Sequence, residues 1–160
     1  NRMIIVTLGT QDKPFTRLLK ALEDAKRNQL IDDEIIVQSG YTDYSSPFLQ
    51  IQKYYSQLDL DQLRQQADLI ITHAGVGSIL DSLKAQKTVI GVARLQKYGE
   101  HANDHQYEIL DVFSLEGYIM RCDDLDKIAQ VIKDAKQFSL KPYPFDNSKI
   151  IEALRTAINN

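Results

Sequence analysis

The sequence predicts an α/β domain in which layers of helices cover a mostly parallel β-sheet. Short apolar runs, typical of buried strands, alternate along the chain with longer amphipathic stretches that repeat at helical spacing. The chain of 160 residues has no internal repeat and no low-complexity segment, which suits one domain with one core. We expect that domain to occupy residues 3–160, and we interpret residues 1–2, before Met3, as a cloning remnant.

Five apolar runs predict the strands, because a parallel strand is buried on both faces. In chain order they are residues 3–8, 34–38, 69–72, 88–92 and 118–121. Residues 48–57 have an ambiguous pattern that is compatible with one more short strand.

Amphipathic stretches between these runs predict the helices. They are residues 12–28, 60–66, 79–84, 104–116 and 125–136, followed by a last helix that Asn147 can cap. Residues 41–47 and 93–103 are predicted loops, and residues 137–145, with two prolines, form an irregular connector.

Composition excludes several classes of protein. Hydrophobic residues make up 43% of the chain and charged residues 26%, with a formal net charge of -3. This balance argues against disorder and against a general attraction to nucleic acid or anionic membranes. The single cysteine, Cys122, cannot form an internal disulfide, which fits a reducing compartment. No apolar run approaches the ~20 residues that span a bilayer, so we expect a cytoplasmic protein.

Candidate binding residues are expected where the strands end, because ligands of parallel sheets bind beyond the carboxyl ends of their strands. The segment from His73 to Ser78 joins a predicted strand to a predicted helix. Gly75 and Gly77 allow the backbone to approach a ligand, and the helix start offers unpaired N–H groups and a positive dipole end. The dinucleotide fingerprint is absent, since Leu80 takes the third glycine position, and the Walker pattern is absent, since no Gly-Lys-Ser/Thr follows. We interpret the segment as a diphosphate site; the alternative is a tight turn with Ser78 as a capping residue.

The loop that leads to Asp104 and Gln106 is rich in hydrogen-bonding side chains. Sugar hydroxyls need paired donors and acceptors, which these two residues can supply. The alternative is a solvated connector in which Asp104 caps the next helix. His101 and His105 have a helical metal-binding spacing, but Ala102 stands where the zinc-protease pattern has glutamate, which argues against a metal site.

A third candidate segment, residues 7–11, follows the first predicted strand. Gly9 and Thr10 can face the same crevice, although a plain strand-to-helix turn also explains them. No Ser-His-Asp order is evident and Cys122 falls within a predicted strand, so a nucleophilic hydrolase is poorly supported. The tyrosines are not interleaved with a basic run, which argues against nucleic-acid binding.

Together these motifs resemble the C-terminal domain of family-28-type glycosyltransferases. The segments that carry the resemblance are residues 3–11, 73–79 and 98–106. The likeness extends to stand-alone catalytic subunits of bacterial capsule and exopolysaccharide synthesis. It extends also to the catalytic subunit of the two-part N-acetylglucosaminyltransferase that acts on dolichol-linked sugar. The resemblance implies a Rossmann-like three-layer sandwich, equivalent to the donor-binding C-terminal half of a GT-B enzyme.

The resemblance also implies roles for individual residues. The donor diphosphate would lie against the glycine loop and the end of the first strand, at Gly9, Thr10, His73, Gly75, Gly77 and Ser78.

The later loop would bind the donor sugar, and three further positions would bind the nucleoside. Asp104 and Gln106 correspond to the sugar-binding positions. Asp81 takes the place of a ribose-binding glutamate in many relatives, and the base would lie near Tyr55 and Leu58.

The activity that the resemblance implies is an inverting transfer from a UDP-sugar, without a metal or another cofactor. Negative charge develops on the diphosphate as the glycosidic bond breaks, and helix N–H groups stabilise it there. A general base must take a proton from the acceptor hydroxyl. We expect that base on a partner subunit, with His73 and His105 as the candidates on this chain.

The expected partner is a membrane-anchored subunit, because in full-length relatives the acceptor lies largely on the other domain. It would present a polyprenyl-diphosphate-linked saccharide in cell-surface polysaccharide synthesis and hold this chain at the inner face of the membrane. Galactose, glucose and N-acetylglucosamine are the candidate sugars. The stripe of the last helix, which can dock on that partner or pack on its own sheet, consists of Ile150, Ile151, Leu154 and Ile158. A homo-oligomer stays open, and the alternative function is a non-catalytic nucleotide-sugar-binding regulatory module.

Overall fold

A six-stranded sheet, parallel throughout, forms the centre of the molecule. The computed structural model describes residues 2–145 and 152–154. Its strands are β1 Met3–Thr7, β2 Glu34–Gln38, β3 Gln50–Gln52, β4 Leu69–His73, β5 Thr88–Val92 and β6 Met120–Arg121. Their order across the sheet is β3-β2-β1-β4-β5-β6.

Helices pack on both faces of this sheet and complete three layers. They are α1 Thr16–Arg27, α2 Gln57–Gln66, α3 Val76–Lys84, α4 His105–Leu115 and α5 Ile128–Ala135, with 3₁₀ turns at Gln96–Tyr98 and Leu125–Lys127. Because neighbouring side chains of a strand point to opposite faces, Ile4 and Val6 pack with α1 and α5, whereas Ile5 packs with α2, α3 and α4. The predicted α/β sandwich is confirmed.

The strand order reverses between β1 and β4, which are paired in the middle of the sheet. At the end of this pair, the Thr7 hydroxyl donates to Thr72 Oγ1 at 2.9 Å, and Thr72 Oγ1 donates to the His73 carbonyl at 2.9 Å. A reversal of this kind leaves a crevice beyond the carboxyl ends of the two strands. The segments that begin at Gly9 and at His73 therefore start side by side.

The helix predicted from residue 12 begins only at Thr16. The chain before it is held by contacts from elsewhere in the fold: the Phe15 N–H donates to Thr42 Oγ1 at 2.9 Å, and the Lys13 carbonyl accepts from Arg94 Nη1 at 2.7 Å. Conversely, α2 begins earlier than predicted, because the Ser56 hydroxyl accepts the N–H of Asp59 at 3.0 Å and caps it.

The predicted strand at residues 118–121 is shortened to two residues. Gly117, with φ of 81°, ends the turn after α4, and the Tyr118 N–H bonds back to the Phe113 carbonyl at 3.1 Å. The ambiguous stretch at residues 48–57 does contain a short strand, β3.

The last predicted helix lies largely outside the described residues, including its cap Asn147 and the positions Ile150, Ile151 and Ile158. Leu154 is described, and it is buried against the cluster that covers the α2, α3 and α4 face. Within the described ranges, no helix combines the length and the apolar character that crossing a bilayer requires.

Candidate functional site

A cleft of about 320 Å³ opens at the carboxyl ends of β1, β2 and β4, between α2 and α3. It brings together most of the positions that the sequence singles out. The predicted residues that line it are Gly9, Thr10, His73, Gly75, Gly77, Ser78 and Asp81. Thr7 and Gln11, from the third candidate segment, also line it. Sequence reasoning did not single out three further polar residues of the lining, Gln38, Gln57 and Arg64.

The His73 imidazole lies at the base of this cleft, between two glycines. It is 7% exposed. A Cβ at Gly9 would lie 2.3 Å from His73 Nε2, and a Cβ at Gly75 would lie 2.4 Å from His73 Cε1. Both glycines therefore make room for the imidazole. A Cβ at Gly77 would meet nothing within 4 Å, so this glycine faces open space.

The start of α3 faces the cleft without a side-chain cap. Gly75 is the N-cap residue, and the first helical hydrogen bond runs from the Ile79 N–H to the Gly75 carbonyl at 3.0 Å. The N–H groups of Val76, Gly77 and Ser78 consequently have no acceptor within the helix. The alternative of Ser78 as a capping residue is wrong, since Ser78 lies inside the helix. An uncapped helix start of this kind is suited to bind an anion.

A buried amide holds His73 in place from 33 residues away. Gln106 is 4% exposed, and its Oε1 accepts the backbone N–H groups of Ala74 at 3.1 Å and of Arg94 at 2.9 Å. These two bonds identify that atom as the oxygen, so the amide nitrogen is the one that faces His73 Nδ1, at 3.1 Å. Gln106 therefore donates to Nδ1, which carries no proton.

The proton of the neutral imidazole then lies on Nε2, which donates to Ser78 Oγ at 2.9 Å. Burial lowers the pKa of His73 to about 3, and the charges of Arg94 and His101 act in the same direction. His73 is thus neutral near pH 7, and both of its nitrogens are occupied. This arrangement argues against His73 as the general base and leaves the Ser78 hydroxyl proton for an acceptor in the cleft.

A buried arginine, Arg94, connects the segment after β1 with the loop after β5 by hydrogen bonds. Arg94 is 1% exposed, and its guanidinium donates to the carbonyls of Leu8, of Lys13 at 2.7 Å and of Glu100 at 3.1 Å. Burial lowers the pKa of Arg94 to about 10, while the Glu100 carboxylate opposes that shift. Arg94 is the second residue after β5, and an arginine in that position is the signal that sequence reasoning missed.

The predicted sugar-binding residues do not line the cleft. Asp104 is exposed, and its Oδ1 accepts the Gln96 N–H at 2.8 Å, so it does not cap α4 with its side chain. Asn103 Oδ1 instead accepts the N–H of His105 at 3.0 Å. Because the Gln106 amide is engaged within the protein, its contact with a donor sugar stays a prediction.

The predicted base-binding positions lie beside the cleft. Leu58 is 67% exposed on α2, and the Tyr55 N–H donates to Gln38 Oε1 at 2.8 Å. His101 and His105 do not form a metal centre with other residues: within the described part of the chain, no group of three or more His, Cys, Asp or Glu side chains could hold a metal ion.

A larger cavity, of about 530 Å³, lies at the amino end of β5 and is lined mainly by the connector before residue 146. It contains none of the predicted site residues. The cleft at the switch point is therefore the site that combines a helix start with convergent polar groups.

Sheet order and cleft define a Rossmann-like domain with an open cleft at the topological switch point, where domains of this class bind ligands. The profile of the family described as "Glycosyltransferase family 28 C-terminal domain" matches residues 3–160. The chain belongs to this family.

Curated relatives bear the name UDP-N-acetylglucosamine transferase subunit ALG13. The Saccharomyces cerevisiae protein is 32% identical over 93 residues, which cover 58% of this chain and 44% of the yeast protein. The Candida glabrata protein is 29% identical over 140 residues, which cover 86% of this chain and 68% of that protein. The human protein is 30% identical over 132 residues, which cover 76% of this chain and 11% of the human protein. The chain thus spans between 11% and 68% of these relatives.

Solved structures confirm the fold. A solution structure of ALG13 superposes with a TM-score of 0.64 at 24% identity, over 96% of this chain and 94% of that one. MurG of Acinetobacter baumannii superposes with a TM-score of 0.57 at 17% identity, over 100% of this chain and 46% of the MurG chain. The calicheamicin glycosyltransferase CalG4 superposes with a TM-score of 0.61 at 15% identity, over 99% of this chain and 37% of the CalG4 chain. The domain thus matches the C-terminal halves of GT-B glycosyltransferases.

Proposed function

We propose that this chain is the donor-binding catalytic subunit of an inverting glycosyltransferase that uses a UDP-sugar. The observation that carries the proposal is the uncapped start of α3, where the N–H groups of Val76, Gly77 and Ser78 face the cleft beside the Ser78 hydroxyl. Membership of a glycosyltransferase family supports it. N-acetylglucosamine is the favoured sugar, because the curated relatives are named as its transferases.

The proposed reaction is a displacement at the anomeric carbon of the donor sugar. The acceptor hydroxyl oxygen forms the new bond, the bond to the diphosphate breaks, and the hydroxyl proton passes to a general base. Negative charge grows on the leaving diphosphate, so preorganised donors at the start of α3 lower the barrier where that charge develops. The dipole of α3 acts in the same direction. The base belongs to a partner in this proposal, with His105 as the remaining candidate on this chain.

The proposed partner is a membrane-anchored subunit that binds a polyprenyl-diphosphate-linked saccharide. The relatives are named as subunits, and the domain corresponds to 46% of the MurG chain and 37% of the CalG4 chain. Asp104, at the exposed end of the loop before α4, is the proposed contact to the donor sugar. A role in capsule or exopolysaccharide synthesis stays a prediction, since the relatives reported above do not support that setting.

Calorimetric binding of UDP to two variants of Gly77 tests the donor site. The space around this residue is open, so Gly77→Ala should fold and retain UDP affinity within a few-fold. Gly77→Asp should abolish measurable binding, because it brings a carboxylate to the helix start where the diphosphate lies.

Equal UDP affinity in both Gly77 variants would contradict this placement of the diphosphate. Wild-type protein that binds nucleotide sugar but catalyses no transfer with any partner subunit would favour the alternative of a regulatory binding module.

A further inference from the structure

Arg64 lies in the last turn of α2, with a side chain that is 3% exposed. Its side chain lines the same cleft as Ser78 and Asp81. Among the described residues that line this cleft, it is the one lysine or arginine. Long basic side chains are rarely buried without full pairing, so its position calls for a physical reason.

The guanidinium of Arg64 is incompletely paired. Nη1 donates to Asp61 Oδ1 at 3.3 Å, and the Asp61 side chain is 53% exposed. Nε is buried and has no hydrogen-bond partner in the protein. An unsatisfied buried donor is costly, and a bound ligand that accepts from it removes that cost.

Asp81 defines the chemistry of this end of the cleft. It lies three residues after Ser78, one helical turn further from the start of α3. Its carboxylate and the Arg64 guanidinium attract each other, and this interaction opposes the lowering of the Arg64 pKa by burial. A donor and an acceptor that face one space suit neighbouring hydroxyl groups, whereas the carboxylate disfavours a phosphate there.

We propose that Arg64 donates a hydrogen bond from Nε to the ribose 2′-hydroxyl of the bound nucleotide, beside Asp81. The proposal rests on the proposed function and adds a residue to its nucleoside site. The diphosphate then lies at the start of α3 and the ribose one turn further along the helix. Arg64 accordingly distinguishes a ribonucleotide from a 2′-deoxyribonucleotide, because the deoxy form has one acceptor fewer.

The test compares the dissociation constants of UDP and 2′-deoxy-UDP by calorimetry. Wild-type protein should bind 2′-deoxy-UDP about tenfold more weakly than UDP, as expected for a lost hydrogen bond to a charged group. Arg64→Met should lose about tenfold in UDP affinity with 2′-deoxy-UDP little changed, so that the ratio of the two constants approaches one.

Lys84→Met is the matched control, because Lys84 pairs with Asp81 at 3.6 Å but does not line this cleft. It should keep the wild-type ratio. Circular dichroism verifies folding of each variant. If Arg64→Met does not fold, Arg64→Lys is measured in its place, and its ratio should also fall because lysine lacks the Nε–H donor.

Equal losses for both nucleotides in the Arg64 variant would overturn the ribose assignment in favour of a contact to phosphate or base. An unchanged ratio with unchanged affinities would overturn it altogether. Wild-type protein that binds neither nucleotide would refute the proposed function itself, which is a different result from binding without discrimination.

Discussion

At the scale of single residues, the site depends on a directed chain of hydrogen bonds. Backbone N–H groups orient Gln106, Gln106 orients His73, and His73 donates to Ser78. Each hydrogen bond fixes which atom of the next side chain carries a proton. The Ser78 hydroxyl, which accepts from His73, therefore donates toward the cleft. With the imidazole neutral, no side chain in this series of hydrogen bonds carries a net charge.

The buried histidine predicts an acid-sensitive stability. The folded pKa of His73 is about 3, below the value of about 6.5 in the unfolded chain, so the unfolded state binds more protons. This contribution to stability is full above pH 6.5 and is lost as the pH falls toward 3. We expect His73 to account for a loss of about 2 kcal/mol at pH 5 relative to pH 8.

Urea unfolding of wild-type protein and His73→Gln between pH 8 and pH 5 measures this effect. Carboxylates contribute equally to both proteins, so the difference in slope isolates the histidine. A variant with the same pH dependence as wild type would show that His73 is not the titrating group.

At the scale of elements, the turn from β1 into α1 must leave space for a side chain from the neighbouring strand β4. Gly9 and Gly117 both have positive φ, 78° and 81°, but only at Gly9 would a Cβ collide with another residue, His73. Comparing the two positions therefore separates backbone strain from crowding of the imidazole.

We expect Gly117→Ala to destabilise the protein by roughly 1–2 kcal/mol through left-handed strain alone. Gly9→Ala should destabilise the protein by about 1–3 kcal/mol more, because the His73 imidazole must move. It should also weaken UDP binding, because a displaced His73 loses its hydrogen bond to Ser78. Denaturant unfolding and calorimetry measure the two effects. Equal losses of stability at both glycines would disprove the crowding at Gly9.

At the scale of the whole molecule, the domain contains the proposed donor cleft, whereas the acceptor and the general base are proposed to come from a partner. We expect sugar transfer to a lipid-linked acceptor to be at least about 10²-fold faster with the partner subunit, the usual contribution of a positioned base. Turnover of labelled UDP-N-acetylglucosamine, with and without that subunit, measures the ratio. Full activity of the isolated chain would contradict the divided enzyme.

The sequence by itself determined the order of strands and helices, the parallel sheet and the segments that meet at its carboxyl edge. These properties follow from local periodicity and from glycines at strand ends, which are readable over a few residues. It also predicted a helix that starts beside Gly75 and Gly77, although α3 begins at Val76 and not at residue 79. The start of α1 and the length of β6 were misjudged, because contacts from distant residues decide both.

Only the tertiary structure decided what most of the polar residues do. Gln106 was expected to bind the donor sugar, but its amide donates to His73, which precedes it by 33 residues. Arg94 bonds to the carbonyl of Leu8, 86 residues earlier, and Arg64 enters the cleft from another helix. The physical reason is that hydrogen-bond partners and burial depend on neighbours brought together by the sheet, and no local pattern of the chain encodes them.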